Sequence, residues 1–577
     1  MNTLKRSLVL FIPLVFLWFH TNAQEQYIIQ DSLLINTSTG HTLSAVVVRK
    51  KGITAPQPAA LLFFLYSNLQ RSLSEAKSAA DHGYVGVVAD VRGKRLSPDE
   101  IAPYENEQED VYEVIDWISK QSWSNGQVGM YGGSYSGFAQ WAALKHKVHP
   151  ALKTIVPYVA GIPGKGLPME NNVFINPNYE WAFYIGNNKY LDTAANNNRA
   201  RWRHMQANWY NQGIAYRKID SVDGTPNPLL QRWLQHPSYD SYWQNMVPYQ
   251  QEFAKINIPI LAIDGYYNDG QASGIFYLRE HLRYNSNAND YLVIGPYDHF
   301  GAQKGGIKNL RGYIVDSGAL IDTRELTFQW FNHIMKGAGK PPLLKDHINY
   351  QVMGANTWKH VSSLDKMYHH KEKFYLDNSR LTKTKPLKTG FQSQSVDFKD
   401  REQDNNYNFP DPIIQDSLVM PNGFAFLSEP ADKPYEISGA FTGELQVAIN
   451  KKDMDFSVTF YEVMPDGRYF ELSYYLGRAS YAQDPARKTL LTPGRKTALP
   501  FSFTKLTSRQ LSKGSRMLVV INVNKNRFAQ VNYGSGKDVS DESIRDAAAP
   551  LIVQWYNDSF IAVPIAGESE LYRQINE

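Results

Sequence analysis

Over roughly the first 350 positions, short continuous apolar runs alternate with stretches whose apolar residues recur at helical spacing. Residues 27–50 read as two strands joined by a polar turn at 36–40. Residues 59–66 and 84–91 are unbroken apolar runs of strand length. Between them, residues 72–82 have helical spacing and stop at Gly83. Residues 107–120 place Val111, Val114, Ile115 and Ile118 on one helix face. Residues 128–131, 152–159, 259–263 and 291–294 are further buried-strand candidates. Buried strands separated by amphipathic helices need crossover connections, which predicts a mostly parallel sheet with helices on both faces.

Two regions break this rhythm. Residues 161–251 are rich in Asn, Trp and Tyr and read as helices and loops. They are expected to form a cap inserted between two sheet strands, over the C-terminal strand edge where such sheets bind ligands. After about Lys345, short alternating strands dominate, at 435–437, 445–449, 456–461, 470–472, 517–523 and 551–555, with turns at 464–467 and Pro493-Gly494. Spaced short strands without long helices predict a β-sandwich. The expected division is therefore an α/β domain at 24–345, with its cap at 161–251, and a sandwich at 346–577.

A chain of 577 residues is too long for one core, in keeping with this division. The net charge of +4 is too small to argue for nucleic acid or an anionic membrane as partner. Aromatic residues reach 13%, enough to line pockets as well as fill cores. There is no cysteine, so thiol nucleophiles, thiolate metal sites and iron–sulfur clusters are excluded. Lys5 and Arg6, the nearly apolar run 7–19 and the small residues Thr21 and Ala23 form a processing signal. Cleavage is expected after Ala23, giving an exported chain, periplasmic or extracellular, with no membrane span left after processing. A homo-oligomer is left open.

Residues 128–138 carry the chemistry: Val-Gly-Met-Tyr-Gly-Gly-Ser-Tyr-Ser-Gly-Phe. Ser134 sits on a glycine-rich corner between a strand candidate and a helix-like stretch. A sharp strand-to-helix turn lifts a serine hydroxyl above the sheet of an α/β-hydrolase and aims backbone N–H groups at a developing oxyanion. The corner is imperfect, since Ser136 stands where a second glycine is usual and Gly137 follows. Partners decide whether it is more than a turn. With 14 histidines, position must discriminate, and His299 lies just past the run 291–294, where a general base would reach the serine. An acid is expected after the preceding strand. Asp264 and Asp269 both qualify, and Asp269, on the turn beyond the strand end, is preferred. Tyr66 closes the run 59–66, so its hydroxyl fits an oxyanion donor beside the Tyr135 amide, and it fits a core tyrosine equally well.

Several stretches together resemble the cocaine-esterase-like (CocE/NonD) hydrolases, relatives of the X-Pro dipeptidyl-peptidases and the α-amino-acid ester hydrolases. They are Ala89-Asp-Val-Arg-Gly93, Asp116-Trp117 through Trp123, the serine corner, Gly265-Tyr-Tyr-Asn-Asp-Gly270 and Gly295-Pro-Tyr-Asp-His299, with Asp453-Met-Asp-Phe456 and Pro465-Asp-Gly467 in a C-terminal jelly roll. The resemblance implies Ser134 as nucleophile, His299 as base, and Tyr66 with the Tyr135 amide as oxyanion hole. It places the acid position at Asn268, one residue before Asp269. Gln271 and Ala272 stand where the amino-acid ester hydrolases carry an acidic pair.

The function expected is serine hydrolysis through an acyl-enzyme, on an ester, amide or short-peptide substrate, with no metal or organic cofactor. A peptidase needs a carboxylate for the substrate N-terminus. Glu170, Glu180 and Asp192 in the cap are candidates, each read as a solvated loop charge, so an ester is favoured over an X-Pro dipeptidyl-peptidase-like activity. A ligand-binding protein on an inactive hydrolase scaffold is the reading from another class.

Overall fold

The alternation of apolar runs and helices resolves into a ten-stranded sheet, followed by a second system of fourteen strands. The computed structural model describes residues 26–405, 412–502 and 504–568. The processing signal expected at 1–23 lies outside the described residues.

The first sheet contains β1 (Tyr27–Asn36), β2 (Thr42–Lys50), β3 (Gln57–Phe64), β4 (Val85–Asp90), β5 (Ser124–Gly133), β6 (Leu152–Tyr158), β7 (Ile260–Gly265), β8 (Asp290–Gly295), β9 (Ile348–Val352) and β10 (Thr357–Val361). Their spatial order is 1-2-4-3-5-6-7-8-9-10. From β4 to β9 all neighbours are parallel, and antiparallel pairs finish both edges. Every residue of β4, and all of β3 after Gln57, is buried, which is why these strands read as continuous apolar runs. Helices α1 (Leu69–Asp81), α2 (Glu107–Ser119) and α3 (Tyr135–Ala142) make the early crossovers.

Strand order reverses between β3 and β5. The chain runs from β3 to β4 on one side, then crosses to β5 on the other. Ligands of open α/β sheets bind at such a switch point, beyond the carboxyl ends of the strands. Tyr66 follows β3 and Ser134 follows β5, so the topology puts both there.

The excursion between β6 and β7 is helical. Its helices include α4 (Pro177–Gly186), Arg199–Gln212 and Pro228–Trp233, packed around buried Trp202, Trp209, Trp233 and Trp243. Among the described residues, no helix is long and apolar enough to cross a membrane.

The first sheet continues past the boundary expected at 345. Strands β9 and β10 lie beyond it yet belong to the first sheet, with Leu292, Val293 and Ile294 of β8 pairing in parallel with β9. A short buried strand such as Ile348–Val352 looks the same in sequence whichever sheet receives it. The fourteen strands that follow form a β-sandwich with almost entirely antiparallel pairing. The sandwich docks on the first domain through Gln271, at the start of the helix Gln271–Tyr284. Its amide donates to the Leu506 carbonyl at 2.8 Å and accepts from the Leu506 N–H at 2.7 Å.

Candidate active site

Ser134 occupies the single residue between β5 and α3. Its φ of 61° and ψ of −119° are strained for a residue with a side chain, and its hydroxyl does not cap the helix. The backbone is held in place, since Ser134 N–H donates to the Tyr158 carbonyl at 3.0 Å while its own carbonyl accepts from Gly137 and Phe138. Gly137 is required by close approach: a Cβ there would lie 2.8 Å from the Tyr158 carbonyl oxygen and 2.9 Å from Ala160 Cα.

Two candidate donors stand beside Ser134. The Tyr66 phenol interacts with the Ser134 hydroxyl, and burial raises the Tyr66 pKa, so the phenol stays protonated and able to donate. The Tyr135 N–H, first in α3, has no acceptor among the described residues. The side chain of Tyr135 is anchored beneath: its hydroxyl donates to Glu107 and accepts from the Tyr104 N–H at 3.1 Å. Burial pushes Glu107 up to about 7, against the Tyr135 hydrogen bond.

His299 follows β8, three strands along. Its Nδ1 is 2.9 Å from Asn268 Oδ1 and 3.4 Å from Asp269 Oδ1. The orientation of the Asn268 amide follows from its other contact, since Nδ2 donates to Asp264 Oδ1 at 2.8 Å, turning Oδ1 toward the ring. Both acceptors lie on Nδ1, so Nδ1 carries the proton and Nε2 keeps its lone pair. The loop bearing His299 rests on the serine corner. Gln303 donates to the His299 carbonyl at 2.9 Å, and its side chain would lie 2.4 Å from a Cβ placed at Gly133.

The three acid candidates therefore stand in one cluster with distinct positions. Asp264 is buried behind Asn268, and burial pushes it up to about 7 against hydrogen bonds from Gly265 and Asn268. Asn268 is 0% exposed and makes the shorter contact to the ring. The Asp269 side chain is 57% exposed and lines a cavity. Burial alone would raise it, yet the His299 imidazolium and its hydrogen bond, with help from Lys505, hold it well below the usual carboxylate range. Conversely, burial would lower His299, and Asp269 raises it above its ordinary value. Asn268 thus fixes the tautomer, while Asp269 supplies the charge.

The cavity holds about 160 Å³ and is walled by all three parts of the molecule: Lys165 and Glu170 of the cap, Asp269 and Phe276 of the α/β domain, and Tyr475 and Phe501 of the sandwich. Glu170 corrects the expectation of a solvated loop charge. It forms part of the cavity wall, accepts from the Tyr474 hydroxyl at 2.9 Å on both oxygens, and is pushed up to about 7 by burial, with Lys505 opposing. The other two cap acids are engaged elsewhere. Glu180 lies 3.5 Å from Arg199, and Asp192 caps a helix through the Ala195 N–H. Lys505 and Tyr474 reach the site from the sandwich, 371 and 340 residues after Ser134, and no local pattern marks them. Trp181 of α4, whose Nε1 donates to the Tyr66 hydroxyl at 3.2 Å, gave no signal beyond the aromatic richness of the cap.

Comparison with known proteins agrees with this architecture. Residues 40–301 match the model of the X-Pro dipeptidyl-peptidase (S15) family, and residues 344–553 that of the X-Pro dipeptidyl-peptidase C-terminal non-catalytic domain. Cocaine esterase of Rhodococcus sp. (strain MB1 Bresler) is 25% identical over 518 aligned residues, covering 80% of this chain and 84% of that one. Two solved structures share the fold. An aminopeptidase from the marine sediment archaeon Thaumarchaeota archaeon superposes with a TM-score of 0.80 at 18% identity, over 94% of this chain and 97% of its own. An α-amino acid ester hydrolase does so with 0.78 at 20% identity, over the same shares. With both halves matched in order and an esterase relative spanning most of its length, the chain is a serine hydrolase that resembles the X-Pro dipeptidyl-peptidases and the cocaine-esterase-like (CocE/NonD) hydrolases.

Proposed function

We propose that the protein is an exported esterase in which Ser134 is the nucleophile, His299 the general base, Asp269 the acid, and Tyr66 with the Tyr135 amide the oxyanion hole. One observation carries the reading: Asn268 and Asp269 both hold Nδ1 of an imidazole whose loop packs on a strained serine corner, leaving Nε2 as the free base. His299 Nε2 takes the Ser134 proton as Oγ attacks the ester carbonyl. The tetrahedral oxyanion receives hydrogen bonds from Tyr66 and Tyr135. His299 then protonates the departing alkoxide, and the acyl-enzyme remains. Water, deprotonated by the same nitrogen, releases the acid and restores Ser134. The asparagine orients the ring, and the Asp269 charge stabilises the imidazolium. The esterase relative supports an ester substrate. Export follows the expectation of cleavage after Ala23, checked by the mass of the mature N-terminus.

Glu170 favours a second reading. A carboxylate in the cavity beside Asp269 suits a substrate ammonium, so aminoacyl esters or amides are the alternative class. Turnover of p-nitrophenyl esters beside X-Pro and other aminoacyl anilides tests the choice. Faster hydrolysis of simple acyl esters, unchanged in Glu170→Gln, supports the first reading. A preference for aminoacyl substrates that is lost in Glu170→Gln supports the second. No turnover of either class refutes both.

A further inference from the structure

We propose that Trp181, on a cap helix, is a positioning residue for the oxyanion hole, a role that rests on reading Tyr66 as an oxyanion donor. An indole N–H can only donate. Its bond to the Tyr66 hydroxyl, at 3.2 Å, therefore makes the phenol oxygen an acceptor on the cap side and leaves the phenolic proton for the Ser134 side. Without that bond the hydroxyl could turn its proton away from the reacting centre. With it, the donor is aimed before the oxyanion forms, and a hydroxyl that accepts a hydrogen bond is also a stronger donor.

The cap holds the indole still. Trp181 stacks on Trp233 with ring centres 6.0 Å apart at 19°, and touches Tyr104 and Tyr135, whose amide is the other proposed donor. Helix α4 is tied at both ends. Near its start, Asn227 Nδ2 donates to the Tyr179 carbonyl at 2.9 Å, and the Asn176 N–H to the Phe528 carbonyl at 2.8 Å. At its end, Lys94, from the loop after β4, donates to the carbonyls of Ile185 and Asn188. The aim of the catalytic phenol is thus set by a segment inserted between β6 and β7, braced by both domains.

The test is a double-mutant cycle. Trp181→Phe removes the N–H. Benzothienylalanine at position 181, which replaces N–H by sulfur in the same ring shape, removes it without opening a cavity and guards against misfolding. Each is made alone and with Tyr66→Phe. Loss of one neutral hydrogen bond predicts a kcat about 3- to 10-fold lower with KM nearly unchanged. With Tyr66→Phe already present, neither change at 181 lowers kcat further. A full kcat in the benzothienylalanine protein, or the same fold-loss in both backgrounds, overturns the positioning role. If Tyr66→Phe alone keeps full turnover, the oxyanion reading of Tyr66 fails and this role fails with it. If Tyr66→Phe is impaired while position 181 is inert, only the positioning role fails.

Discussion

Replacing Tyr66 by Phe isolates one hydrogen atom's worth of catalysis. The ring keeps its edge contact with Phe64, whose centre lies 5.7 Å away, so the loop after β3 has no reason to move. What is lost is a donor that burial keeps protonated and that interacts with the Ser134 hydroxyl. The Tyr135 amide remains as the second donor. Removing one of two preorganised oxyanion donors costs about 2.7–4 kcal/mol of transition-state stabilisation, or roughly 100- to 1,000-fold in kcat. The substrate carbonyl carries little charge before attack, so KM should change far less. Trp181 Nε1 also loses its acceptor, which costs roughly 1 kcal/mol of stability at a partly buried site. The assay is steady-state hydrolysis of a p-nitrophenyl ester, with thermal unfolding as a check on the fold. Near-wild-type kcat in a folded Tyr66→Phe protein would refute the assignment of the phenol. A loss confined to KM would place Tyr66 in substrate binding instead.

Asp269 raises the His299 pKa above its ordinary value of 6.5, and the base works only when neutral, so kcat/KM should fall as pH drops, with its midpoint above 6.5. Asp269→Asn should shift that limb to lower pH and reduce kcat, whereas Asn268→Ala should reduce kcat with little shift. A methyl at position 137 would meet the Tyr158 carbonyl oxygen at 2.8 Å, so Gly137→Ala should destabilise the fold by about 1–3 kcal/mol in urea denaturation. Asp455 binds Arg478 through two buried bonds of 2.8 and 3.0 Å. Asp455→Ala should cost about 3 kcal/mol, the low end for breaking a buried pair, because Gln530 keeps its 2.8 Å contact with Arg478.

Much of the α/β domain was legible because its central strands are buried on both faces and helices such as α1 and α2 on one, which leaves distinct periodicities. Helix α2 begins at Glu107 as its apolar spacing predicts. Helix α1 starts at Leu69, three residues earlier than its apolar spacing suggests, because Asn68 caps it by accepting from the Arg71 N–H at 3.0 Å. Ser134 and His299 stood out in the sequence because each follows a buried strand. The sequence preferred Asp269 to Asp264, and the resemblance pointed to Asn268: all three side chains lie within one linked cluster, and which faces Nδ1 depends on the turn of the chain after β7. Glu170 was misread because acidic residues in loops are usually solvated, and only the sandwich closing over the cap encloses it. That the first sheet gains two strands beyond residue 345 was not legible, because β9 announces itself as a strand without naming its partner.

The central claim is that Ser134 is a nucleophile activated by His299. Labelling the folded protein with a fluorophosphonate and mapping the adduct by peptide mass tests it most directly. The account predicts one adduct, on the peptide containing Ser134, abolished in Ser134→Ala and greatly slowed in His299→Ala. An adduct on another residue, or labelling that persists in Ser134→Ala, would contradict it.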